Sequence, residues 1–80
     1  MEHPLSLDKI KAGEWATIKK VNAKGRFKKR LIEMGFVENT KIYVQKSAPL
    51  NDPVEYVIKG YHVSLRRSEA AQVAVSQGGS

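Results

Sequence analysis

The sequence predicts a mainly β fold: a small, partly open β-barrel of about five strands, with one helix after the first strand and a short helical turn before the last. Several short segments alternate apolar and polar residues, one segment has a helical period, and a hairpin near the C-terminal end has a self-consistent register. Eighty residues suffice for one domain with one small core. We assign that domain to residues 5–76 and expect flexible ends at 1–4 and 77–80, which lack apolar periodicity.

The first strand is predicted over residues 14–22. Ala16 and Ile18 share one face of this strand, but the next apolar residue, Val21, falls on the other face. This change of phase predicts a bulge or a sharp bend near Lys19 and Lys20, as a curving barrel strand requires.

The helix is predicted over residues 23–34. At 100° per residue, Phe27, Leu31 and Met34 fall on one side and form a stripe that we expect to be buried. Gly35 follows directly and is predicted to end the helix, because glycine adopts positive φ without steric cost.

Two more strands follow from alternation. One covers residues 40–46, with Ile42 and Val44 facing the core. The other closes the fold with Val73 and Val75, after a short helical turn for which Ser68 is the predicted N-cap.

The hairpin gives the sharpest structural prediction. If Lys59 and Gly60 form a two-residue turn, every opposing pair in the two flanking strands is fixed. The predicted inner pairs are Ile58 with Tyr61, Tyr56 with Val63 and Val54 with Leu65, and the outer pairs are Val57 with His62 and Glu55 with Ser64.

Composition excludes several classes of function. The chain has no cysteine, so it has neither disulfides nor thiolate metal ligands. It has no phosphate-binding loop and no serine with a local sign of a partnering base, and we therefore expect no catalysis. No apolar run approaches the roughly 20 residues of a membrane span, and the first residues do not resemble a signal peptide, which predicts a cytoplasmic protein.

The net charge of +6 is concentrated in one basic run of the predicted helix. The run is either an ordinary solvated face or a docking surface for an acidic protein, an anionic lipid or RNA. RNA is the least favoured, because Phe27 points inward and leaves no exposed platform for base stacking. The candidate contacts are Lys24, Arg26, Lys28, Lys29 and Arg30.

The loop at residues 50–53 is a second candidate contact. It is either a strand connector or a recognition edge, in which an apolar side chain on a proline-stiffened loop forms a small groove with Leu31 and Met34. Trp15 and Tyr43 either pack against the barrel or belong to that groove. The candidate contacts in this loop are Leu50, Asp52 and Pro53.

Metal ligands are sparse. His3 lies in the N-terminal end, and His62 and Glu55 lie on the outer face of the hairpin. These three are weak candidates, because a stable site needs three or four convergent ligands. We therefore predict no resident cofactor, with transient binding of a transition metal such as iron as the open alternative.

A set of short motifs occurs in a fixed order between residues 13 and 70. It comprises Gly13-Glu14, Leu31 with Gly35, Asn39-Thr40, the Ala-Pro-Leu-Asn-Asp-Pro loop at 48–53, Leu65-Arg66 and Glu69-Ala70. In this order the motifs resemble the FeoA family, and the resemblance covers roughly residues 7–75. Asn39 and Asn51 replace glycines of the family pattern, and asparagine is among the few residues that tolerate a left-handed backbone.

The resemblance implies an SH3-like barrel and a role beside FeoB, the membrane ferrous iron transporter with a cytosolic GTPase domain. The leading hypothesis is a cytosolic, non-enzymatic accessory module of bacterial ferrous iron uptake, which docks on that GTPase region and reaches the inner face of the membrane through its partner. The alternatives are a nucleic-acid-binding SH3-like module and a metal-responsive interaction domain.

Overall fold

The computed structural model describes residues 5–47, 49 and 51–77. In this part of the chain, six antiparallel strands form one open sheet in the order β1-β6-β2-β3-β4-β5, accompanied by two helices and one 3-10 turn. The strands are β1 (Leu5–Ser6), β2 (Trp15–Val21), β3 (Lys41–Ser47), β4 (Val54–Ile58), β5 (Tyr61–Leu65) and β6 (Val73–Ser76). The helices are α1 (Gly25–Glu33) and α2 (Arg67–Ala70), and the 3-10 turn is Leu7–Lys9.

The bulge predicted in the first strand is confirmed. The pairing of β2 with β6 slips by one residue between Ile18 and Lys20. As a result Ala16, Ile18 and Val21 are all buried, although their spacing is irregular for a flat strand.

The hairpin register is confirmed at all five predicted pairs. Lys59 and Gly60 both have positive φ, 49° and 83°, as the twist of a tight two-residue hairpin turn requires. One part of the prediction is wrong: Tyr61 is 56% exposed, so it does not belong to the apolar inner surface. It is the first residue after the turn, at the closed end of the hairpin.

The helix begins later than predicted, at Gly25, because Lys24 is extended and Gly25 has a φ of 64°. Leu31 is fully buried, and Phe27 and Met34 are packed against the core, which confirms the apolar stripe. Gly35, the residue predicted to end the helix, has a φ of 102° and follows the C-cap Met34.

Gly35 is also closely covered. A Cβ at this position would lie 3.0 Å from the Lys59 side chain, so the end of α1 and the β4–β5 turn meet here. Any larger residue would combine an unfavourable backbone with a steric contact.

The N-terminal segment adds elements that the sequence did not predict. Leu5 pairs with Val75 and Ser6 with Ala74, which makes β1 an edge strand beside β6. The 3-10 turn that follows buries Leu7 completely.

The predicted N-cap of the second helical segment, Ser68, is wrong, because the N-cap is Arg66 and α2 begins two residues earlier than predicted, at Arg67. The backbone N–H of Arg66 donates to Oε1 of Glu69 at 2.9 Å, and this bond fixes the first turn. Ser68 consequently lies inside the helix.

Candidate protein interaction surface

The five cations of the basic run lie on and beside α1, and all five side chains are exposed. In the described part of the chain they form no hydrogen bond or ion pair, and Arg30 lies over the Phe27 ring with its guanidinium carbon 5.9 Å from the ring centroid. These cations are therefore available to an external partner.

The start of α1 has no compensating negative charge. Its N-cap, Lys24, makes no side-chain capping bond, and the first turn has no acidic residue. Because the N-terminal end of a helix already carries partial positive charge, added cations there raise the local electrostatic energy. An anionic partner would lower that energy.

A shallow depression lies along the outward stripe of α1, opposite the buried stripe. It is lined by Gly25, Lys28, Lys29, Ile32 and Glu33. Ile32 is 42% exposed, an apolar side chain among basic ones.

The candidate loop is held by an arginine that the sequence did not single out. The backbone N–H of Arg67 donates to Oδ1 of Asp52 at 2.9 Å, so this carboxylate binds the start of α2. The Arg67 guanidinium donates to the carbonyls of Asp8, at 2.8 Å, and Asn51. Asp52 therefore has a structural role, whereas the exposed Pro53 remains open to a partner, and Leu50 lies outside the described residues.

The charged groups around Arg67 also affect a buried tyrosine. Burial raises the pKa of Tyr56 to about 12, and the carboxylates of Asp8 and Asp52 add to the rise while the charge of Arg67 opposes it. Tyr56 stays neutral at physiological pH and serves as a core residue.

The aromatic pair that sequence reasoning left open lies on the outer face of the sheet. Trp15 and Tyr43 are paired across β2 and β3, with ring centroids 5.0 Å apart at 49°. The row continues across the sheet through Val57 on β4 to His62 on β5. Trp15 is 57% exposed, so this row is a surface feature and not a core contact.

The weak metal candidates are not brought together into a site. His62 is opposite Val57, whereas Glu55 is opposite Ser64, and His3 lies outside the described residues. Among residues 5–47, 49 and 51–77, no group of three or more His, Cys, Asp or Glu side chains could hold a metal ion.

Over the same ranges, none of the helices has the length and apolar character that crossing a bilayer would require.

Comparison with known proteins decides the family. A model of the FeoA domain matches residues 5–77. The chain belongs to the FeoA family. The resemblance inferred from the ordered motifs is thus confirmed, and the fold is that of an SH3-like FeoA domain.

In one curated relative, the segment that matches this chain is part of a fusion with a transporter. The chain is 46% identical over 71 residues to the Fe(2+) transport protein A/Fe(2+) transporter FeoB fusion protein of Porphyromonas gingivalis. The match covers 89% of this chain but only 8% of the fusion protein, so this chain corresponds to a small part of that protein.

Solved FeoA structures share the fold. The solution structure of FeoA from Chlorobium tepidum has a TM-score of 0.86 at 34% identity, covering 91% of this chain and 70% of that one. The crystal structure of Stenotrophomonas maltophilia FeoA complexed with zinc, described as a prokaryotic SH3 domain protein, has a TM-score of 0.81 at 25% identity, covering 90% and 89%.

Proposed function

We propose that this FeoA-family protein is a non-enzymatic accessory module of bacterial ferrous iron uptake, which docks from the cytoplasm on the GTPase region of a FeoB-like transporter. The observation that supports this most directly is the relative in which an FeoA segment, 46% identical to this chain, is fused to FeoB. Domains joined in one polypeptide are kept at high effective concentration, which favours partners that act together.

The surface chemistry supports docking. The exposed cations of α1 have no partner in the described part of the chain, and at a net charge of +6 the protein is attracted to acidic surfaces. We assign the principal contact to this face of α1, with Leu50 and Pro53 as a second contact.

The test is calorimetric titration of the protein into the purified cytosolic GTPase region of the cognate transporter. We expect saturable binding that the double charge reversal of Lys28 and Lys29 to Glu weakens by about tenfold or more, equivalent to about 1.4 kcal/mol. Reversal of Lys9, an exposed lysine on the 3-10 turn, is the matched control and should leave the affinity within about twofold.

Duplex RNA at the same salt concentration is the second arm of the titration. Binding to RNA and not to the GTPase region would contradict docking and favour a nucleic-acid-binding module, because phosphate contacts dominate such binding. Absence of binding to the GTPase region would overturn the proposed docking site.

A further inference from the structure

We propose that the outward stripe of α1 is a socket for one apolar side chain of a partner helix, and that acidic residues flank this side chain on the partner. This inference rests on the proposed function and specifies the chemistry of the docking partner. The socket consists of Gly25, Lys28, Lys29 and Ile32.

The spacing of these residues defines the socket. Positions i, i+3, i+4 and i+7 are the four corners of the hole that receives a side chain when two helices pack together. Gly25 leaves one corner without a side chain, and a Cβ built there would meet nothing within 4 Å. The depression observed on α1 is lined by these four residues and Glu33.

The walls of the socket are apolar, although its rim is charged. Ile32 contributes an exposed aliphatic side chain, and lysine methylenes provide apolar surface while their ammonium groups stay in water. An aliphatic or aromatic side chain in this position would bury surface that water now covers.

The charges select an acidic partner. Arg26 and Arg30 are a like-charge pair four residues apart on the helix, and such pairs are destabilising. Carboxylates on either side of the inserted side chain would meet the ammonium groups of Lys28 and Lys29. A second copy of this chain would present the same basic stripe, so charge complementarity disfavours self-association through α1.

A protein helix fits this face better than a membrane does. Helices that lie in a bilayer surface present several large apolar residues, whereas the large apolar residues of α1 other than Ile32 pack against the core. One apolar residue within a basic rim matches a single inserted side chain.

The experiment separates the apolar and the charged parts of the socket. The wild-type protein and four variants are titrated into the cytosolic GTPase region of the transporter, at about 50 mM and about 500 mM NaCl. Ile32→Ser and Lys28→Glu alter the socket. Val37→Ser, a residue 40% exposed outside the stripe, and Lys9→Glu are the matched controls.

We expect Ile32→Ser to weaken binding by about tenfold at both salt concentrations, because apolar contacts are not screened. Lys28→Glu should weaken it by about tenfold at low salt and clearly less at high salt. Both controls should stay within about twofold, and circular dichroism should show unchanged folding of all variants.

The contrary outcomes are distinguishable. If the wild-type protein binds and Ile32→Ser binds equally well, the socket is wrong while docking stands. The wild-type protein is also titrated with vesicles of phosphatidylserine and phosphatidylcholine. If it binds these vesicles but not the GTPase region, both the partner helix and the proposed docking site are wrong. No binding to either overturns both proposals.

Discussion

Two groups of cations in this molecule have opposite surroundings. The guanidinium of Arg67 is partly buried and donates to backbone carbonyls of Asp8 and Asn51, in segments distant in sequence. The cations of α1 face solvent and, apart from the contact of Arg30 with a ring, have no partner in the described part of the chain. A charge that the fold satisfies stabilises the protein, whereas one that it leaves open can serve binding.

Replacement of Arg67 by Ala should have the largest effect on stability. It removes two charge-assisted hydrogen bonds, and we expect a loss of about 3 kcal/mol in the free energy of unfolding, measured in urea. The neighbouring exposed Arg66 is the control, and its replacement by Ala should cost less than about 0.5 kcal/mol. Equal losses would show that the Arg67 bonds contribute no stability.

Replacement of Asp52 by Ala should cost about 1 kcal/mol, because its carboxylate accepts a bond from the N–H of Arg67 at the first position of α2. Asp52→Asn keeps an acceptor oxygen and should retain most of this stability in the same urea measurement. If Asn and Ala are equally destabilising, the oxygen is not the relevant group.

On α1, replacement of a cation should raise the free energy of unfolding instead of lowering it. Arg26→Glu places a negative charge at the start of the helix and removes the repulsion with Arg30, and we expect the free energy of unfolding to rise by about 0.5 kcal/mol. Arg26→Gln should give a smaller rise, and both should shrink at about 0.5 M NaCl. A loss of stability would mean that this cation has a structural role, and the contrast with Arg67 would not hold.

The smallest effect concerns the exposed Glu14. The Gln77 side chain and the backbone N–H of Lys11 donate to its carboxylate, and these bonds hold the pKa of Glu14 below its ordinary value. Such a lowered pKa stabilises the folded protein at pH values above the ordinary pKa of a glutamate. This stabilisation is lost as the pH falls through the folded-state pKa. Gln77→Ala should raise this pKa toward the ordinary value in an NMR titration.

Gln72 provides the control for that titration. Its side chain donates to the carbonyl of Ser68, so Gln72→Ala should leave the titration of Glu14 unchanged. A pKa that moves equally in both variants would indicate a general effect on the C-terminal segment.

Sequence reasoning worked best where structure depends on near neighbours. The β4–β5 register followed from the turn at Lys59 and Gly60, because a two-residue turn fixes every pair. The bulge in β2 followed from the phase of its apolar residues. The exposure of Tyr61 was missed, because alternation gives the face of a residue but not whether another element covers it.

Features that depend on distant residues were not predictable. A two-residue strand such as β1 has no periodicity, and it exists only because β6 lies beside it. The role of Arg67 was missed because its guanidinium donates to Asn51 and Asp8, which precede it in the sequence by 16 and 59 positions. On α1, the basic face was visible in the sequence, but the exposure of Ile32 and the depression beside it required the fold.

The pairing of β1 with β6 has a consequence for chain connectivity. Because Leu5 lies opposite Val75, the first and last strands of the domain are spatial neighbours, and a short linker would join them. A circularly permuted gene, opened at the exposed Lys59-Gly60 turn, would then encode the same sheet with new ends. The order of the elements along the polypeptide is thus separable from their arrangement in space.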